Sequence, residues 1–249
     1  MFRTWWFGIC LALASVGVRA EDITLTNGEW LPFQSEKLAG YGVLSRVVTE
    51  AFALEGVTVH YLFRPWPRAM AEAQDGPAQG SIVWSKGKPG SARNRNFIYS
   101  DVVFEGKAVF FQRTGFPFAW KTYADLAKFR IGGVAGYEYD FEGTPGVRID
   151  RAPSEQLSMR KLLAGRFDVY PTIREVGWYT LHTQFSAAEA AAISEYRGRP
   201  YNQPRYHLIL PRRLAASPRR LAQFNQGLRR LRESGRYDQL MAELAAGRY

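Results

Sequence analysis

Cysteine is almost missing from this chain. Cys10 is the single one in 249 residues, and it lies in an apolar N-terminal run. An internal disulfide framework and a thiolate-based zinc site are therefore excluded. Histidine is nearly as scarce. His60, His182 and His207 lie far apart, and none has metal-ligand spacing. A nucleophile elbow, a P-loop and an EF-hand pattern are also missing, as are internal repeats and low-complexity segments. No apolar run after the first reaches the ~20 residues a membrane-spanning helix needs. Two partial motifs carry little. Ser158-Met159-Arg160-Lys161 matches the S-x-x-K of acyl-serine enzymes, but Lys121-Thr122-Tyr123 is not its K-T-G companion, so it reads as a surface helix segment. Gly40-Tyr41-Gly42-Val43-Leu44-Ser45 half-matches a dinucleotide fingerprint without the third small residue, and reads as a tight turn into a helix. No cofactor and no metal are expected.

What is present is an ordinary globular composition, 46% hydrophobic and 14% aromatic, with a net charge of +10. The length suits one large domain or two of ~100–125 residues. Residues 1–20 read as a signal peptide: Arg3 gives a positive start, Trp5 to Val18 is apolar, and Val18-Arg19-Ala20 is a small-x-small cleavage signal. Phe7-Gly8-Ile9 lacks the small residues that would make Cys10 a lipoprotein anchor. Cleavage before Glu21 would take the net charge from +10 to +8 and leave no cysteine. The expected product is a soluble periplasmic protein, a monomer, indifferent to thiol redox.

Along the rest of the chain, short apolar strands alternate with amphipathic helices. Strands are expected at Ile23–Thr26, Val57–Phe63, Ser81–Trp84, Arg130–Val134, Phe167–Tyr170 and Tyr206–Leu210. Helices are expected over Tyr41–Glu55 and Arg68–Gln74, after Ser154, after Ser186, after a Ser217 cap with Pro218 at the first helical position, and over Tyr237–Ala246. The fold class is α/β, with parallel sheets and helical crossovers. Arg212, Arg213, Arg219, Arg220, Arg229, Arg230, Arg232 and Arg236 crowd the C-terminal part against Glu233 alone. Export argues against nucleic acid as their partner. They read as a solvated helix face, or alternatively as a docking face for an acidic partner or an anionic membrane.

Several segments in one order give the chain a resemblance. Asn27-Gly28-Glu29-Trp30-Leu31-Pro32-Phe33 follows the first strand, Gly40-Tyr41 opens the first helix, and Arg64-Pro65-Trp66-Pro67-Arg68-Ala69 follows the second strand. Arg93 stands seven residues before Ser100. Leu163-Ala164-Gly165-Arg166-Phe167-Asp168 and the spaced set Asn225, Leu228, Leu231, Gly235 and Tyr237 complete the series. The chain resembles the family 3 solute-binding proteins of bacterial ABC importers, the polar amino-acid type, over nearly all of residues 21–249. The resemblance implies a two-lobed periplasmic binding protein of type II, parallel-rich sheets flanked by helices and joined by two hinge strands. Lobe 1 would hold residues 22–109 and 207–249, lobe 2 residues 113–203, with hinges near 109–113 and 203–207.

It also implies a ligand cleft between the lobes. Trp30 and Trp66 fall on its aromatic walls, with a place in the lobe core as the lesser alternative for each. Arg93 falls on the arginine that clamps the ligand carboxylate, a task that suits a planar guanidinium fork. Trp84 and Ser85 fall on a backbone-and-hydroxyl segment, Tyr137 where a small hydroxyl residue usually helps hold the carboxylate, and Asn27 on a position often acidic. The acid that takes the ligand's amino group aligns with Ile173; Thr172 and Glu175 are near but out of register. Leu44, Gln79 and Gly90 are further departures. The expected ligand is a small, anionic or amino-acid-like solute other than an ordinary α-amino acid, delivered to the membrane permease of an ABC importer. A receptor that signals to a membrane sensor is the alternative. A cyclohexadienyl-dehydratase-like enzyme on the same fold, with Glu29, Glu138 or Glu175 as acid, is a further one; the leading expectation is no enzyme.

Overall fold

The structure, a computed structural model, describes residues 21–246, so the expected export signal over residues 1–20 lies outside the described residues. From the N-terminus the elements are Glu21–Asn27 (β1), Val43–Ala53 (α1), Val57–Phe63 (β2), Trp66–Asp75 (α2), Gly80–Ser85 (β3), Ala92–Asn96 (α3) and Phe97–Glu105 (β4). Next come Ala108–Arg113 (β5), Ile131–Val134 (β6), Ile149–Ala152 (β7), Glu155–Leu163 (α4), Val169–Ile173 (β8), Arg174–Gln184 (α5), Ala187–Ala191 (α6) and Ile193–Glu195 (β9). The chain ends with Arg205–Pro211 (β10), Ser217–Glu233 (α7) and Arg236–Ala245 (α8).

The strands form two five-stranded mixed sheets, ordered β2-β1-β3-β10-β4 and β7-β6-β8-β5-β9. In the first, β1 pairs in parallel with β2 and β3, and β10 runs antiparallel between β3 and β4. In the second, β6 is parallel to β7 and β8, while β5 is antiparallel to β8 and β9. Two passages join them. Gly106 N–H donates to the Pro204 carbonyl at 2.9 Å, and Ala108 and Asn202 bridge at 3.0 Å. The chain thus changes sheets at Gly106–Lys107, where 109–113 was read from the sequence; Ala108 and Val109 already pair with Ile173 and Thr172. The return runs through Asn202–Pro204, and Arg205 already pairs with Glu105.

This wiring fixes where loops gather. The C-terminal ends of β1, β2 and β3 share one edge of the first sheet, the edge where β10 begins. The C-terminal ends of β6, β7 and β8 share one edge of the second, the edge where β5 begins. Both edges adjoin the two passages, so loops and helix N-termini from each sheet are carried to the ground between them, where open α/β sheets place ligands.

Burial follows the sequence pattern. Val47, Val48, Ala51 and Phe52 turn one face of α1 onto Ile23 and Leu25 of β1 and onto Phe224 and Leu228 of α7. The two helices approach so closely that a Cβ on Gly227 would lie 1.8 Å from the Ala51 carbonyl oxygen. In β5, period-two alternation sends Phe111 to one side with Met159, Leu162 and Phe167, and Phe110 to the other with Phe118, Trp120 and Phe141.

The motif residues of the later chain hold this framework. Gly165 closes α4 at φ +71, and the Asp168 carboxylate accepts from the Arg130 amide at 2.8 Å and its guanidinium at 2.6 Å. Burial works against that charge, but the Arg130 bonds win and hold the carboxyl below its usual range. Asn225 Oδ1 accepts from the Asp101 amide at 2.9 Å, Gly235 turns at φ +75, and the Tyr237 hydroxyl donates to the Val103 carbonyl at 3.0 Å.

One expectation changes and another gains detail. Ser217 is the first residue of α7 rather than its cap, because its hydroxyl donates to the Pro211 carbonyl at 2.7 Å. The C-terminal arginines do form a solvated face, with Arg212, Arg213, Arg219, Arg229, Arg230 and Arg232 exposed, but several of them are also paired. Arg219 and Arg220 bond Glu21, Arg230 pairs with Glu55 at 3.0 Å, Arg236 with Glu50 at 2.8 Å, and Arg232 donates to the Val102 carbonyl. The paired ones tie α7 and α8 to β1, β4, α1 and the loop after α1, and these ion pairs neutralise part of the charge a docking face would need.

Candidate functional site

On the first-sheet side, strand ends deliver four aromatic or charged groups. Trp66 opens α2 with its ring against Gly28, where a Cβ would sit 2.7 Å from the indole, so only glycine lets the ring lie there. It meets the Trp84 ring edge-to-face at 5.1 Å. Trp84 is aimed by a backbone irregularity: Ile82 and Val83 oppose Leu208 alone between the His207 and Ile209 pairings, and Val83 has φ +63. A β-branched residue in that region costs about 1–3 kcal/mol, and such strain collects at functional sites. The Trp84 indole N–H donates to Ser81 Oγ at 2.6 Å.

Arg93 lies in α3, whose start is capped by Ser91 Oγ accepting from the Asn94 amide. Its guanidinium stacks 5.0 Å over the Trp84 ring and donates to the Ser85 carbonyl at 3.2 Å. Its Nε is buried without a partner among the described residues, and its Nη2 is 3.8 Å from Glu138 of the other lobe. The side chain is only 19% exposed. A cation on an indole with a spare, desolvated donor is poised for an anion. Trp84, Ser85 and Arg93 thus come together, with Trp66 packed on the first of them.

Trp30 sits apart from that cluster. Its ring packs on Phe33 at 4.5 Å and on Tyr206 at 4.9 Å, where β10 begins. The Trp30–Gln34 turn precedes Tyr41, which has φ +63. Gly42 follows at φ +90, and a Cβ there would fall 2.5 Å from the Phe33 carbonyl oxygen. Asn27 is fully buried, with its amide donating to Ser45 Oγ at 2.9 Å and its Oδ1 accepting from the Gly28 amide at 2.8 Å. Its amide thus ties the β1 terminus to α1, and its Oδ1 shapes the turn into Gly28.

On the second-sheet side, Tyr137 and Thr172 meet around a residue the sequence did not single out. Glu155, the first residue of α4, receives the Tyr170 hydroxyl and, at 3.3 Å, Thr172 Oγ1; Tyr137 acts on the same carboxyl. Burial pushes this carboxyl up to about 7, although the three hydroxyls pull the other way. Burial likewise raises Tyr137 and Tyr170 well above the usual phenol range. Glu175, at the start of α5, is raised by burial and has one carboxylate oxygen buried without a partner. Asp140 is raised by burial and lies within electrostatic reach of Lys88 across the lobes. Glu155 was illegible because an acid after a serine cap reads as a favourable first-turn charge at a solvated helix end. Only the tertiary approach of Tyr170 and Thr172, alternate residues on one face of β8, encloses it. Ile173, aligned with the amino-group acid, is buried beside Gly106.

Of the remaining groups, Ser158 donates to the Gly133 carbonyl at 2.9 Å inside the second lobe, a structural bond. His207 is buried with Nδ1 2.7 Å from the Ser100 carbonyl, and burial lowers its pKa. No described helix is long and apolar enough to cross a membrane.

Neither a protein-family model nor a curated protein sequence matches the chain. Solved structures do. A histidine kinase sensor domain with similarity to periplasmic binding proteins superposes with a TM-score of 0.73 at 18% identity, covering 90% of this chain and 96% of that one. An amino acid ABC transporter substrate-binding protein from Streptococcus pneumoniae, bound to L-arginine, gives 0.68 at 15% identity, covering 90% and 94%. An ancestral amino-acid-binding protein, a precursor of cyclohexadienyl dehydratase, gives 0.67 at 18% identity, covering 89% and 94%. The expected fold class is therefore the observed one: the chain has the two-lobed α/β architecture of periplasmic binding proteins.

Proposed function

We propose that this chain is an exported receptor for a small solute, held between the lobes with its anionic group on Arg93. The observation that carries the proposal is the state of that side chain. Its guanidinium is stacked on Trp84, anchored through one nitrogen to the Ser85 carbonyl, and left with a buried, unpartnered Nε. Leaving such a donor unmade costs about 1–3 kcal/mol, which a ligand carboxylate would recover. Trp66 and Trp84 supply flat apolar surface beside it, and Tyr137 and Thr172 supply hydroxyls from the other lobe. Asn27 is withdrawn from the ligand contacts in this reading, and Trp30 supports the cleft floor through Phe33 and Tyr206.

Delivery to an ABC importer is supported by the shared fold with the amino acid transporter protein. The higher TM-score to a kinase sensor domain supports the alternative, a receptor that reports to a membrane sensor. Both share the same first step, hinge closure on a ligand. The test is a thermal-shift screen of the purified chain against amino acids, opines, aromatic acids, polyamines and sugars. A ligand at 100 times its Kd adds about 2.7 kcal/mol. Hits among anionic solutes that vanish in Arg93→Ala support the reading. Hits confined to neutral sugars, or hits that survive the substitution, defeat it.

A further inference from the structure

The second lobe lacks an acid at Ile173, yet it encloses one elsewhere. Tyr170 and Thr172 stand two residues apart on β8 and so project to the same side of the sheet. Both bond the carboxyl of Glu155 at the start of α4. Tyr137, from the loop after β6, acts on the same carboxyl, Tyr139 from that loop feels its charge, and so does Tyr201 from the segment returning to the first lobe. Among the described residues, every side chain that acts on the carboxyl does so through a hydroxyl, and no Lys, Arg or His does. Arg151, which acts on Tyr139, is taken up by the Val134 and Tyr137 carbonyls and by Glu142. The result is a desolvated carboxyl ringed by tyrosines and lacking a counter-ion, at a sheet edge that adjoins the passage between lobes. A cation entering there would supply the missing charge and could lie against electron-rich ring faces.

We propose that Glu155, enclosed by Tyr137, Tyr170 and Thr172, is a cation subsite of the interlobe cleft that takes an ammonium or substituted-amine group of the ligand. The proposal rests on the cleft reading above, with the ligand's acid on Arg93. Consecutive loop residues link the two places: Glu138 faces Arg93 and Tyr137 reaches Glu155. The ligand class is then a zwitterion with its amine set apart from its acid. Because the carboxyl titrates near 7 when the subsite is empty, pairing with a cation drives its proton to the buffer. Binding is therefore tighter at pH 8 than at pH 6 by about tenfold, the ratio of ionised fractions for such a group.

The probes are matched pairs: 4-aminobutanoate, 5-aminopentanoate and 6-aminohexanoate against butanoate, pentanoate and hexanoate. Titration calorimetry of the full chain at pH 6 and pH 8, in two buffers of different ionisation enthalpy, reads affinity and proton release. The expected result is that at least one amino acid binds ten times tighter or more than its amine-free partner, with proton release and the pH effect. Glu155→Gln should abolish the preference and the proton release, while Arg93→Ala abolishes binding of both partners. Tyr170→Phe, which keeps the carboxyl but removes a hydroxyl, should retain the preference and shift the pH midpoint, guarding against a Gln variant that simply folds badly. Equal binding of the pairs, or a preference that survives in Glu155→Gln, overturns the subsite while Arg93-dependent binding leaves the cleft reading standing. No binding by any amino acid of the series also overturns it, and the anion screen then judges the cleft reading separately.

Discussion

Replacing Glu155 by glutamine should make the protein more resistant to alkaline pH. The carboxyl rises from 4.5, the value of an exposed glutamate, to about 7 in the fold, chiefly because burial disfavours its charge. A raised acid pKa means that the native state holds a proton the unfolded chain releases. Its contribution is complete below pH 4.5, declines above it, and is lost as pH passes 7. At about 1.4 kcal/mol per unit, the difference between the two ends is on the order of 3 kcal/mol. In a chain of this size each kcal/mol moves Tm by roughly 2–4 °C. Wild type and Glu155→Gln should therefore melt within a few degrees of each other at pH 4.5, and the variant should gain roughly 6–12 °C relative to wild type by pH 8. Glutamine keeps an acceptor for Tyr170 and Thr172, so the comparison isolates the charge. Melts followed by circular dichroism across pH 4.5–8.5 check this. Tm differences that stay constant with pH would refute the buried, proton-holding carboxyl.

Other perturbations test the framework. Gly227→Ala puts a methyl 1.8 Å from the Ala51 carbonyl oxygen and must push α7 off α1, so urea unfolding should lose 1–3 kcal/mol or more. Asn27→Ala removes the partner of Ser45 and of the Gly28 amide; it should cost about 1–3 kcal/mol in the same assay and leave affinity for any Arg93-dependent ligand within a few fold. Gly28→Ala should displace the Trp66 ring, visible as a change in near-ultraviolet dichroism.

Much of this molecule could be read before its fold was known. The α1 signal was strong because it has a buried face at the helical period, carried by Val47, Val48, Ala51 and Phe52. Ser154 and Ser186 do cap their helices. Arg93, Trp84 and Ser85 were named through the resemblance alone, and the structure brings the three together because the guanidinium folds back onto the strand end eight residues before it. What escaped depends on distant partners. Ser217 looks like a cap until Pro211 claims its hydroxyl. The C-terminal arginines look free until β1, α1 and the loop after it supply Glu21, Glu50 and Glu55. Asn27 looks available to a ligand until Ser45, eighteen residues on, takes its amide. Glu155 looks solvated until two alternate residues of β8 close over it. In each case hydrogen bonds or ion pairs that form only in the folded chain decide the role, from six residues away for Ser217 to 198 for Arg219.

The central claim is that Arg93, resting on Trp84, holds the anionic group of a ligand between the lobes. Tryptophan emission tests it most directly, because Trp66 and Trp84 meet at 5.1 Å beside the guanidinium. The account predicts that an anionic solute identified by thermal shift changes the emission saturably in wild type, that Trp84→Phe removes most of that signal, and that Arg93→Ala weakens binding at least a hundredfold, about 2.7 kcal/mol. Unaltered affinity in Arg93→Ala would place the ligand elsewhere and contradict the account.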